Sequence, residues 1–109
     1  MKNLKDTIIE KLVINKNTKI EKYHYHPKTN EELIQTVYRL IRERGKDADL
    51  NDIDVSEIND MSGVFSDNDV NKSFDGDISE WNVSNVEKMT EMFLGSKFTG
   101  KMEIYLIGM

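Results

Sequence analysis

Cysteine is absent from these 109 residues, which excludes a disulfide framework, a thiolate metal site and a cysteine nucleophile. Long apolar runs are missing too. The opening MKNLKDTIIEKLVINKNTKI never sustains the roughly seven to fifteen apolar residues of a secretory h-region. No stretch approaches the roughly 20 residues that span a bilayer. The expectation is a cytoplasmic protein of a bacterium or a phage-infected cell, and a surface protein only if a signal lies upstream. Cationic residues are the minority charge, with 15 Lys and Arg against 20 Asp and Glu. The acids gather between Asp47 and Glu91, which argues against direct nucleic-acid binding, since that needs clustered cations to displace counterions. The same field suits a basic protein surface, for example that of a nucleoprotein enzyme.

What remains is enough for one globular domain over 1–109, with 38% hydrophobic residues against 32% charged. We divide it into an N-terminal capping region, 1–46, and a repeat region, 47–109. The single proline, Pro27, is the second residue of HPKTNEELIQTVYRLIRERG and lies just outside the helix expected there. Thr29 with Glu32 forms a capping box. Leu33, Ile34, Val37, Leu40 and Ile41 then recur at helical spacing until Gly45, which predicts an amphipathic helix over about 30–44. Upstream, KLVINKNTKIEKYHYH reads as a hairpin and residues 4–12 as a short helix. His24 and His26 share a strand face, but no third metal ligand is marked nearby, so they read as half-exposed strand residues.

Laid on itself with a shift of 28, LNDIDVSEINDMSGVF (50–65) falls on ISEWNVSNVEKMTEMF (78–93). Val55 and Val83, Ser56 and Ser84, Met61 and Met89, and Phe65 and Phe93 match outright. A third copy begins with a shift of 24, which places Phe98 on Phe74, Gly100 on Gly76 and Tyr105 on Trp81. Such periods belong to stacked repeat proteins. Ile53 and Val55, like Trp81 and Val83, alternate as strand residues do. Ser84 with Glu87 makes a second capping box before Val86, Met89, Met92 and Phe93. The fold class expected is therefore α+β and solenoid-like: a hairpin and capping helix, about two leucine-rich-repeat-like strand–helix units, and a terminal strand.

The block DMSGVF and then FDGDISEWNVSNVEKMTEMF closely resembles the BspA-like repeats of bacterial surface proteins, the DUF285 or mycoplasma-lipoprotein repeat. The resemblance runs over residues 47 to about 107, and YHPKTNEELIQTVYRLIRERGKDADLNDIDVS resembles the segment that precedes the first repeat in such proteins. It implies a leucine-rich-repeat-like solenoid that binds protein, with no catalytic residues to carry over.

Candidate chemistry is sparse. Asp67, Asp69 and Asn71 stand at positions 1, 3 and 5 of a calcium loop, but Lys72 and Ile78 occupy positions that need Gly and Glu. The pairs Asp75 and Asp77, and Asp52 and Asp54, are carboxylates without a sign of desolvation. Ser56 and Ser84 lack a nucleophile-elbow context and suit caps. Trp81 and Met61, Met89 and Met92 read as core. We expect no enzyme activity, no catalytic or metal residue and no cofactor. The expectation is an interaction module that binds another protein through its repeat surface and acidic loops, with Asp67, Asp69, Asp75, Asp77, Glu80 and Glu91 as candidate contacts. It would be a monomer, or a homodimer through the C-terminal strand. Two alternatives are a small acidic phage-type inhibitor of a nucleic-acid-targeting defence enzyme, in the manner of anti-CRISPR proteins, and a fragment of a surface adhesin.

Overall fold

A computed structural model describes residues 22–100. The expected helix over 4–12, most of the hairpin over 11–26 and the terminal strand over 102–109, with any dimer built on it, lie outside the described residues. Where Thr29 precedes NEEL, the chain enters helix α1, Asn30–Arg44. The Thr29 hydroxyl accepts from the Glu32 amide at 3.1 Å, and the Glu32 carboxylate reaches back to the Lys28 amide at 2.7 Å. Gly45 ends the helix with φ +99° while its amide donates to Ile41 O at 2.8 Å. Leu33, Ile34, Val37, Leu40 and Ile41 are buried, forming the apolar stripe that α1 lays on the repeats.

The expected strand–helix units do not form. Among the described residues the only other helix is α2, Asp69–Lys72, and extended pairing is limited to three isolated parallel bridges, Tyr25 with Ile53, Asp49 with Asp77, and Asp60 with Lys88. The repeats fold as successive tight turns instead. In the first copy the amides of Ile53, Ile58 and Val64 donate to the carbonyls of Leu50, Val55 and Met61. In the second copy, 28 residues on, Trp81, Val86 and Met92 donate to Ile78, Val83 and Met89. A four-residue turn brings its first and last residues close together, so an apolar spacing of three serves a turn as well as a helix. Between the turns, aspartate and asparagine side chains take the amide two residues on: Asp49 from Asn51, Asp54 from Ser56, Asp60 from Ser62, Asp77 from Ser79, and Asn82 from Ser84. Such local bonds compete with a helix for the backbone. Ser84 thus caps no helix; its hydroxyl donates to Asn82 Oδ1 at 2.7 Å.

The copies stack. Met61, Gly63 and Phe65 donate their amides to the carbonyls of Lys88, Thr90 and Met92 at 2.8, 3.1 and 2.9 Å. On the far side of the first copy the matching carbonyls meet side chains. Asn30 Nδ2 donates to Asp60 O and Ser62 O at 3.0 and 2.9 Å, and Asn71 Nδ2 donates to Val64 O at 2.9 Å. Two asparagine amides therefore close the acceptor edge of the ladder. Upstream, Asp54 N donates to Tyr25 O at 2.8 Å and His24 N to Asp52 O at 2.8 Å, so the lead-in 22–28 continues the 28-residue register.

Leu50, Ile53, Val55, Met61, Phe65 and Ile78 are among the buried residues between these layers, as is Trp81, whose Nε1 donates to Leu50 O at 2.9 Å. Phe65 stacks on its repeat mate Phe93 with centroids 5.4 Å apart, and Phe74 on Phe98 at 5.8 Å. The shift of 24 holds as far as Thr99, whose amide and hydroxyl donate to Asp75, and Lys97 N donates to Lys72 O at 2.8 Å. Gly100, with φ +104° and open space where a Cβ would sit, does not repeat the close contact of Gly76. No helix among the described residues is long and apolar enough to cross a membrane.

Candidate interaction surface

The six candidate carboxylates fall into two groups. Asp67 and Asp69 are exposed on either side of Asn68, whose Oδ1 caps α2 by accepting from Asn71 N at 2.8 Å. Ser66 ties this corner to Glu91 by donating its hydroxyl to Glu91 O at 2.6 Å. Asp75, Asp77 and Glu80 lie along another stretch of coil. Asp75 accepts from the amide and hydroxyl of Thr99 at 2.8 and 2.6 Å. Asp77 is half-buried in its turn and pairs along the backbone with Asp49. Glu80 is exposed and forms an ion pair with Lys22 at 2.7 Å. Asp75 and Asp77 are thus structural, which leaves Asp67, Asp69, Glu80 and Glu91 as the outward members. Asn71, the third calcium-loop oxygen donor by spacing, is buried with its amide on backbone carbonyls.

The most organised charge cluster was not among the candidates. Arg44, the last residue of α1, forks onto Asp52 with bonds of 2.9 and 2.8 Å, and His24 Nδ1 lies 3.0 Å from the same carboxylate. The Arg44 guanidinium holds the Asp52 carboxyl down at about 2, with the His24 contact helping. Hydrogen bonds from Ser56 and Ser62 likewise lower Asp54 and Asp60. All three stay ionised at neutral pH, so none is tuned to donate a proton there. Lys22, Arg44, Asp49, Asn51, Asp52 and Glu80 line a shallow cleft of about 360 Å³. Carrying the repeat shift upstream would have exposed part of this cluster, because His24, Asp52 and Glu80 share one register position. Arg44 had no such signal, being one cation among several on a helix.

Among the described residues no group of three or more His, Cys, Asp or Glu side chains could hold a metal ion. Comparison with curated proteins and with solved structures returns no match. One family model, described as a mycoplasma protein of unknown function, DUF285, matches residues 34–105, a range that takes in both 28-residue copies. Its match covers well over half of the sequence, and the chain belongs to the DUF285 family.

Proposed function

We propose that the chain is a non-enzymatic interaction module that takes basic side chains of a partner protein on its acidic coils. One observation carries this reading: the molecule already does so internally. Lys22 reaches across to Glu80, and Lys28 to Glu57, over sequence separations of 58 and 29 residues. All four of these side chains are more than half exposed. Exposed pairs of this kind contribute little stability, but they show carboxylates held outward on a turn scaffold at cation-accepting positions. Asp67, Asp69 and Glu91 offer the same chemistry with no cation from the described residues bound to their side chains. Complementary potential would then steer a basic partner and set its register.

The test is affinity capture from a bacterial lysate with the full chain and with an Asp67→Lys/Asp69→Lys variant. We expect a specific protein to be recovered, and its capture to weaken in the variant and in rising salt. Capture of no protein above a resin control, or capture equal for both forms, would count against the reading.

A further inference from the structure

We propose that the cleft between α1 and the lead-in 22–28 seats an extended segment of a partner protein that carries a basic, an apolar and an acidic side chain at alternate residues. This rests on the interaction reading above and names the peptide chemistry the partner would bring. Thr29 caps the first turn of α1, while Arg44 in its last turn sets its guanidinium 6.0 Å from the centre of the Tyr25 ring. The lead-in therefore runs back along the helix in the opposite direction. Between the two lies a cleft of about 580 Å³, larger than the one beside Asp52.

Its walls are held in place before any ligand arrives. On the lead-in side Pro27 is buried and Tyr25 half-buried, with Tyr25 O accepting from Asp54 N at 2.8 Å. Glu31, Gln35 and Arg39 line the helix side at intervals of four residues, which puts them in one row. Leu33 and Val37, wholly buried, fix the opposite face of α1 on the core. Beside the row, the Thr36 hydroxyl donates to Glu32 O at 2.8 Å, and the Glu32 carboxylate takes the Lys28 amide. A cleft formed in advance loses less on binding than one that must first be ordered.

The charges in the cleft are ordered by sign. Glu31 and Glu32 stand in the first turn and Arg39 two turns further on, a rise of about 12 Å along the helix. An extended chain turns alternate side chains to one face and covers about 13 Å from its first residue to its fifth. A basic first residue then meets Glu31, an acidic fifth residue meets Arg39, and an apolar third residue falls between them on Pro27 and Tyr25. Gln35, midway along the row, can both donate to and accept from the backbone of the segment. A segment with charge of one sign throughout would oppose one end of the cleft. The acidic corner of Asp67, Asp69 and Glu91 makes no such distinction, so the cleft fixes register where the corner supplies attraction.

The probe is the pentapeptide Lys-Ser-Leu-Ser-Glu, blocked at both ends, titrated into the isotope-labelled full chain and followed by amide NMR. We expect saturable shifts centred on 25–39. Arg39→Glu, at an exposed position, should weaken binding about tenfold. The peptide Lys-Ser-Leu-Ser-Lys should recover that loss on the variant while binding the native chain poorly, and Asp67→Lys/Asp69→Lys should leave the first peptide's affinity unchanged. Shifts confined to 67–91, no saturable binding, or a loss in Arg39→Glu that the swapped peptide does not recover would overturn the cleft proposal. So would contacts from residues 1–21 to Gln35 and Thr36 in the protein alone, since the chain would then fill its own cleft. Capture from lysate that Asp67→Lys/Asp69→Lys weakens and Arg39→Glu does not refutes the cleft and leaves the interaction reading standing. Pentapeptide binding without capture of any protein does the reverse.

Discussion

At the scale of single residues, the stack is decided where two backbones come closest. A Cβ built on Gly76 would lie 1.9 Å from Ala48 O and 2.8 Å from Ala48 N, the backbone of its own register mate. Gly76 does not have a positive φ, so the constraint is contact, not conformation. A glycine to alanine change normally stabilises slightly through the unfolded chain. Here the sign reverses, and we expect Gly76→Ala to destabilise by about 3 kcal/mol or more, the upper end of overpacking costs. An unchanged urea midpoint would show that the coils do not meet there. Glu91 presents the opposite case. Its register mate Gly63 has φ +70°, and Glu91 adopts +55° with a side chain attached. Replacing it with glycine should relieve about 1 kcal/mol of left-handed strain, partly offset by unfolded-state entropy. Thermal melting of Glu91→Gly should therefore show a midpoint unchanged or raised, and a clear fall would contradict the assignment.

At the scale of elements, what could be read from sequence depended on whether one signal had one structural meaning. Helix α1 was legible because a cap, a stripe and a glycine terminator agree on the same fifteen residues. The stripe of Val86, Met89, Met92 and Phe93 was misread because turn closure and helical periodicity share a spacing of three. Asp54, Asp60, Asp77 and Asn82, each two residues before a serine whose amide it takes, hold the missing information, since they favour local turns over a helix. Helix α2 spans only four residues, too short for a periodic stripe, so its cap at Asn68 carries no signal that separates it from a turn. Asn30 shows how one residue can join two elements. It opens α1 and its amide closes two carbonyls of the first copy. Alanine there should leave both carbonyls short of a donor and destabilise by about 1–3 kcal/mol, beyond any effect on helix propensity. Faster hydrogen exchange through residues 60–65 than in α1 would locate the loss at the ladder, and uniform fraying of α1 alone would locate it elsewhere.

At the scale of the whole molecule, the period was legible and the path of the chain within it was not. The shift of 28 predicts which residues meet, as the bridges of Asp49 with Asp77 and Asp60 with Lys88 show, but periodicity carries no information on hydrogen bonds within a coil. Nor does it show how layers are tied together, which falls to Asp52. That carboxylate holds α1 through Arg44 and the lead-in through His24, so its titration reports on the assembly of all three layers. Its folded value near 2 lies below the ordinary 3.8, and a depressed carboxyl stabilises the fold only while ionised. The contribution is therefore full above about pH 4 and is lost as pH falls from there through 2. Its size is on the order of 1–2 kcal/mol once solvent screening of this partly exposed fork is allowed for. Asp54 and Asp60, lowered by Ser56 and Ser62, add an acid dependence of the same sign that does not involve Arg44. Urea midpoints measured from pH 7 to pH 2 should consequently fall in both the native chain and Arg44→Met. The variant should start lower at neutral pH and fall less steeply below pH 4, the difference between the two curves closing as Asp52 becomes protonated. Parallel curves offset by a constant would mean that Arg44 acts by packing alone and that the fork does not set the acid stability of the stack.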